Sequence, residues 1–149
     1  MAQGDIFVFD YVAYNLMIAP WKPSSFNLHI GLLPQATVPE IEDEPNEWRN
    51  YSPQLSKSLL SRTFRDDEET HIGGNPAAWE VVSENHQAAK VKYALIYTAN
   101  HWFDASFAFV DLTEDGGETP WDLVKVPLRV TLGDIVSAPW NKIVTVTVE

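Results

Sequence analysis

The chain has 149 residues, 45% of them hydrophobic, with six Trp, five Tyr and seven Phe; this fits one domain with a sizeable core and excludes a disordered chain. Ten Lys and Arg stand against 21 Asp and Glu, a formal net charge of −11, which disfavours nucleic acid and anionic membrane surfaces, because both are bound through basic side chains. There is no cysteine, so disulfides, thiolate nucleophiles and thiolate-bound zinc are excluded.

Met1-Ala2-Gln3-Gly4-Asp5 places no basic residue ahead of the first apolar segment. No secretory leader is therefore expected, and the chain is expected to be made and used as written, in the cytosol or in something assembled there. No apolar run approaches the roughly 20 residues a membrane-spanning helix needs. Residues 1–20 read as an arm or a short helix. Ile6, Val8 and Phe9 suit a strand, and Val8, Tyr11, Val12 and Asn15 share a helical face. The favoured reading is an extended arm to about Phe9, then a short helix ended by Pro20. Phe26–Leu32 alternates, with Phe26, Leu28, Ile30 and Leu32 opposite Asn27, His29 and Gly31. That is the pattern of a half-buried strand.

Gln35–Asn50 carries Pro39, Pro45 and five acids. It reads as a long surface loop, solvated or in contact with a partner. Gln54–Phe64 is read as a short helix or a bent strand, Arg65–Thr70 as a charged turn, and His71–Pro76 as a loop. Ala77–Ser83 reads as a strand and Glu84–Ala89 as a connector.

The last third organises the rest. Val91, Tyr93, Leu95 and Tyr97 alternate with Lys92, Ala94, Ile96 and Thr98. Both faces are largely apolar, as in a central strand. Ala105–Leu112, Lys125–Ile135 and Lys142–Val148 repeat the strand pattern, and the four runs together predict an antiparallel β core. Phe107 and Phe109 are expected on one face, and Val126, Leu128, Val130 and Leu132 on another. Thr113–Asp122 is expected to be a hairpin tip on Asp115-Gly116-Gly117, and Pro127 to mark an edge or a bulge. The fold class that follows is mainly β: one antiparallel β-sandwich or jelly-roll-like domain over residues 1–149, with room for the short N-terminal helix.

Chemistry is harder to find. Asp111, Thr113, Asp115, Gly116 and Asp122 match positions of a calcium loop. The flanks read as strands, however, and Pro120 stiffens the segment, so an acidic turn with glycine for positive φ is favoured. His29, His71, His86 and His101 have no metal-pair spacing. No metal or cofactor is expected. There is no Gly-x-Ser-x-Gly turn and no phosphate loop. A carboxylate pair for glycoside hydrolysis stays open, since its spacing is spatial, but a non-enzymatic protein is the favoured reading. Trp21, Trp48, Trp102, Phe103, Trp121 and Trp140 sit mostly in loops. Each alone reads as a cap on the core; as a set they are candidate interface residues, because tryptophan is enriched at interfaces and in sugar clefts.

Ala88–Tyr97 leads to Phe107-Ala108-Phe109-Val110-Asp111-Leu112, then an Asp-Gly-Gly tip, a strand ending Leu132-Gly133-Asp134, and Val-Thr-Val-Thr-Val at Val144–Val148. With the early strand Phe26–Leu32, this resembles the small β-sandwich virion proteins of tailed bacteriophages encoded among head and tail structural genes. The resemblance covers about half the chain and is one of strands and turns, without a diagnostic motif. The acidic loop at Gln35–Asn50 departs from it. It implies a mechanical role: symmetric copies that self-associate, as a trimer or other closed oligomer, and bind a major capsid or tail protein. It implies no catalytic residues. The expected location is the virion, assembled in host cytoplasm. A head decoration (cement) protein is the favoured member, with tail or adsorption-apparatus roles next. A carbohydrate-binding module, with Trp102, Phe103 or Trp121 as the stacking platform, remains an alternative.

Overall fold

The structure is a computed structural model and describes residues 3–10, 28–43, 48–59, 62–66, 69–73, 77–99, 104–132, 135–136 and 146–148. Its strands are β1 (Ile6–Val8), β2 (Leu28–Leu32), β3 (Gln54–Leu59), β4 (Arg62–Asp66), β5 (Glu69–Gly73), β6 (Ala77–Trp79), β7 (Lys90–Val91), β8 (Tyr93–Ala99), β9 (Asp104–Asp111), β10 (Trp121–Asp122), β11 (Leu128–Leu132), β12 (Ile135–Val136) and β13 (Val146–Val148). A 3-10 turn, Trp48–Tyr51, precedes β3. Every strand pairing among the described residues is antiparallel. The mainly β, antiparallel class expected from alternation is what the chain adopts.

The main sheet has the order β1-β9-β8-β2-β3. β8 lies inside it, between β9 and β2, and Tyr93 to Tyr97 are all buried. An inner strand with both faces covered needs apolar residues at every position, and this strand has them. On one face Tyr93 and Leu95 lie with Phe109 of β9 and Phe7 of β1. Phe109 meets Phe7 at 5.1 Å, Phe9 at 5.4 Å and the edge of Tyr93 at 5.8 Å between ring centroids. Tyr51 closes this face by stacking on Phe9 at 5.8 Å. The opposite parity carries Ala94, Ile96, Ala108, Val110, Ile30 and Leu32, all fully buried.

A second sheet, β13-β11-β6, shares the same apolar core. It alternates as a half-buried sheet should: Ala77, Trp79, Leu128 and Val130 are buried, while Ala78 and Arg129 are exposed. Two antiparallel sheets enclosing one core are consistent with a β-sandwich. Trp79 ties them together, its Nε1 donating to the Leu55 carbonyl of β3 at 2.7 Å. Two smaller sheets, β12-β5-β4 and β10-β7, complete the described framework.

β2 and β3 pair across a bulge, with Leu55 and Ser56 opposite Gly31. Leu55 has φ of 50°. A Cβ on Gly31 would lie 2.6 Å from Pro53 Cβ and 2.7 Å from Ser56 Oγ, so the bulge leaves room only for glycine. A second bulge, between β8 and β9, leaves Phe107 without a ladder partner, because Ile96 pairs with Ala108 and Tyr97 with Ser106. The expected common face of Phe107 and Phe109 falls on a side chain outside the described ones.

Other expectations need correction. The run Val91–Thr98 is two strands: at Lys92 the chain bends, its carbonyl accepts from Leu112 N at 2.9 Å, and Val91 pairs instead with Trp121. Thr113–Asp122 joins β9 to β10 in a different sheet, so it is not a hairpin tip. Val126 is 50% exposed in a turn before β11, not part of its apolar face. Pro127 stands just ahead of that strand, where no ladder donor is needed. β6 ends at Trp79, leaving Val81 exposed. Gln54–Phe64 resolves into β3 and β4 rather than a helix. The extended arm to Phe9 is present as β1; the helix expected after it lies outside the described residues.

Candidate functional site

The most structured surface feature is the segment from Asp111 to Val126. Asp111 ends β9, is fully buried, and accepts at Oδ1 from Thr113 N at 2.8 Å and Thr113 Oγ1 at 2.7 Å. Thr113 Oγ1 in turn accepts from Gly117 N at 2.7 Å. Gly117 has φ of 96°, and a Cβ there would meet the Tyr93 hydroxyl at 2.6 Å. This glycine is required both by conformation and by space. Burial, and then the nearby Asp111 carboxylate, push the Tyr93 phenol above its ordinary value. The Asp111 Oδ2 atom is buried without a hydrogen-bond partner.

Asp115 folds back on its own loop. Its carboxylate accepts from Glu118 N at 3.1 Å and Thr119 N at 2.8 Å. Thr119, through its side chain and its amide, holds this carboxyl below the usual range. Asp122 Oδ1 accepts from Val124 N at 3.1 Å, and its Oδ2 lies 4.0 Å from Lys125 Nζ. The carboxylates that match a calcium-loop spacing therefore turn to local backbone donors. Among the described residues no three His, Asp or Glu side chains converge as a metal cluster.

Two clefts flank Asp122. One, of about 640 Å³, runs between Gln3, the 113–119 loop and Trp121. Trp121 is half-buried, and its Nε1 donates to the Val126 carbonyl at 3.1 Å. Gln3 arrives from the far end of the chain, its side-chain amide donating to Leu112 O at 3.0 Å. The other, of about 520 Å³, is lined by His86, Lys90 and Lys125 with Gln35 and Glu84. His86 Nδ1 accepts from Ala88 N at 3.0 Å, so the neutral ring carries its proton on Nε2.

Of the aromatic interface candidates, Trp121 lines a cleft. Trp48 instead caps the main sheet: its ring stacks on Tyr97 at 4.6 Å, and Arg49 covers it with Cζ 4.9 Å from the centroid. His29, the cross-strand partner of Tyr97, extends the stack at 5.5 Å, and burial lowers its imidazole below the ordinary value. Trp21, Trp102, Phe103 and Trp140 lie outside the described residues, as do His101 and the side chain of His71. Trp121, expected in a loop, sits in β10; Gln3 carries no sequence signal, because only the β1–β9 pairing brings it there.

The other surface feature is the loop after β2. Thr37 N donates to Pro34 O at 2.9 Å, and Asp43 N to Glu40 O at 3.0 Å. Asp43 Oδ2 accepts from Glu40 N at 3.0 Å and from the Tyr51 hydroxyl at 2.6 Å. Pro39 is buried, while Val38 and Ile41 are 56% and 40% exposed. The loop is thus braced, and it holds two aliphatic side chains outward amid Glu40 and Glu42.

Comparison with protein-family models, curated proteins and solved structures finds no match to this chain. Among the described residues no helix is long and apolar enough to cross a membrane.

Proposed function

We propose that the chain is a non-enzymatic structural protein that works by assembly, a capsid decoration protein of a tailed-phage virion. In this role copies associate with one another and clamp neighbouring subunits of a major capsid protein. The observation that carries the reading is the braced 34–43 loop. Exposed aliphatic side chains gain by burial, and a loop already fixed by Asp43, Tyr51 and buried Pro39 loses little conformational freedom when it docks. The net charge of −11 suits the outside of a shell, away from packaged DNA.

Light scattering of the purified protein over a range of concentrations, with and without calcium, tests this. A discrete trimer or other closed assembly, dispersed by the double substitution Val38→Ser and Ile41→Ser, is the expected result. A chain that stays monomeric at every concentration and does not bind capsid shells defeats the reading.

A further inference from the structure

We propose that the cleft beside Trp121 binds one pyranose ring of a neutral glycan. Indole has one polar atom, and in Trp121 that atom already donates to Val126 O. What the side chain offers to the cleft is apolar ring surface, against which the C–H face of a sugar packs. The tryptophan is fixed from below by the pairing of Trp121 with Val91.

The opposite wall is set before any ligand arrives. Thr113 is held by Asp111 and Gly117, and Asp115 by Glu118 and Thr119. A wall that does not need ordering costs little on binding. The polar groups left over are acceptors. Gln3 donates its amide to Leu112 O and keeps its carbonyl oxygen. Glu114, Asp115 and Asp122 line the same cleft, and each carboxylate has about four acceptor positions, more than its backbone partners occupy. Sugar hydroxyls supply the matching donors. The volume, about 640 Å³, takes a ring and its substituents.

Charge narrows the class. No Lys or Arg lines this cleft and three carboxylates do, so uronic acids and sugar phosphates are disfavoured. A small cation is the competing occupant. Against it, Asp115 is already held by Thr119 and Asp122 lies by Lys125, so two of the three charges have donors or a cation beside them. The proposal does not depend on the assembly reading, and failure of either leaves the other standing.

The full chain is screened on a printed array of neutral glycans, and the best ligand is titrated by calorimetry. Methylguanidinium and choline are titrated beside it. At least one neutral glycan is expected to bind, with affinity falling roughly tenfold or more in Trp121→Ala. Trp121→Phe keeps part of the affinity, and Glu114→Gln weakens it severalfold. Val38→Ser, far from the cleft in the chain, leaves it unchanged. If Trp121→Ala does not fold, Trp121→Phe and Glu114→Gln decide the matter: unaltered affinity in both overturns the site. Absence of any neutral-glycan binding by the folded wild type also overturns it. So does saturation of the cleft by the cations alone.

Discussion

The two main sheets share a core but are built differently. In β13-β11-β6 one face is buried and the other wet, and the sequence alternates accordingly: Leu128 and Val130 in, Arg129 out. In β1-β9-β8-β2-β3 the inner strand is buried on both faces, and on one of them the cover includes Phe9, Tyr51 and Trp48, which lie outside the strands. The difference shows that a non-strand layer can complete a core. Aromatic rings from an arm and a 3-10 turn cover the face that carries Phe109 and Tyr97.

The largest test strikes that aromatic layer. Phe109→Ala removes the ring that touches Phe7, Phe9 and Tyr93, and is expected to cost about 3–5 kcal/mol in urea unfolding. A loss under about 1 kcal/mol would mean that the arm and turn merely rest on the sheet. Next, Gly31→Ala forces a Cβ against Pro53 at the β2–β3 bulge and is expected to cost about 1–3 kcal/mol, read from the same unfolding curves. Trp79→Phe leaves the Leu55 carbonyl without its donor; a shift of about 1–2 kcal/mol would measure the tie between the sheets. Arg129→Ala, on the wet face, should stay within about 0.5 kcal/mol; a larger change would show that this face is covered.

The mildest effect is in pH. His29 has a folded-state value below the ordinary 6.5, so the unfolded chain binds the proton more tightly. Stability is therefore full above that ordinary value and declines as pH falls below it. Comparing urea midpoints at about pH 7.5 and pH 5.5 for wild type and His29→Asn checks the sign, with the smaller pH response expected in the variant. The effect is limited because the ring stays half-exposed.

Much of this framework was legible in advance. β8, β9, β2 and β11 follow from period-two alternation, a local property of the chain. What was not legible depended on remote partners. Nothing in Val91–Thr98 announces the bend at Lys92; Trp121 and Leu112 impose it by claiming Val91 and the Lys92 carbonyl. Nothing near Phe107 announces a bulge, which is a matter of register between two strands. Val126 continues the alternation of β11, yet lies in the turn that brings its carbonyl to the Trp121 indole. Of the cleft, Trp121 stood out by type and position. Gln3 could not, since its place depends on a pairing about a hundred residues away.

That pairing carries a consequence for how the molecule is made. Gly4 N donates to Asp111 O, and Ile6, Phe7 and Val8 pair with Val110, Phe109 and Ala108. During synthesis β1 has no ladder partner until β9 has followed it. β8 and β9, joined by a short connection, can meet early; β1 closes the sheet only by a long loop, whose entropy makes such contacts slow. The nascent chain therefore carries β1 without its ladder partner while the segment between β1 and β9 is made. Its vulnerable interval, when aggregation competes with folding, ends only once β9 has emerged.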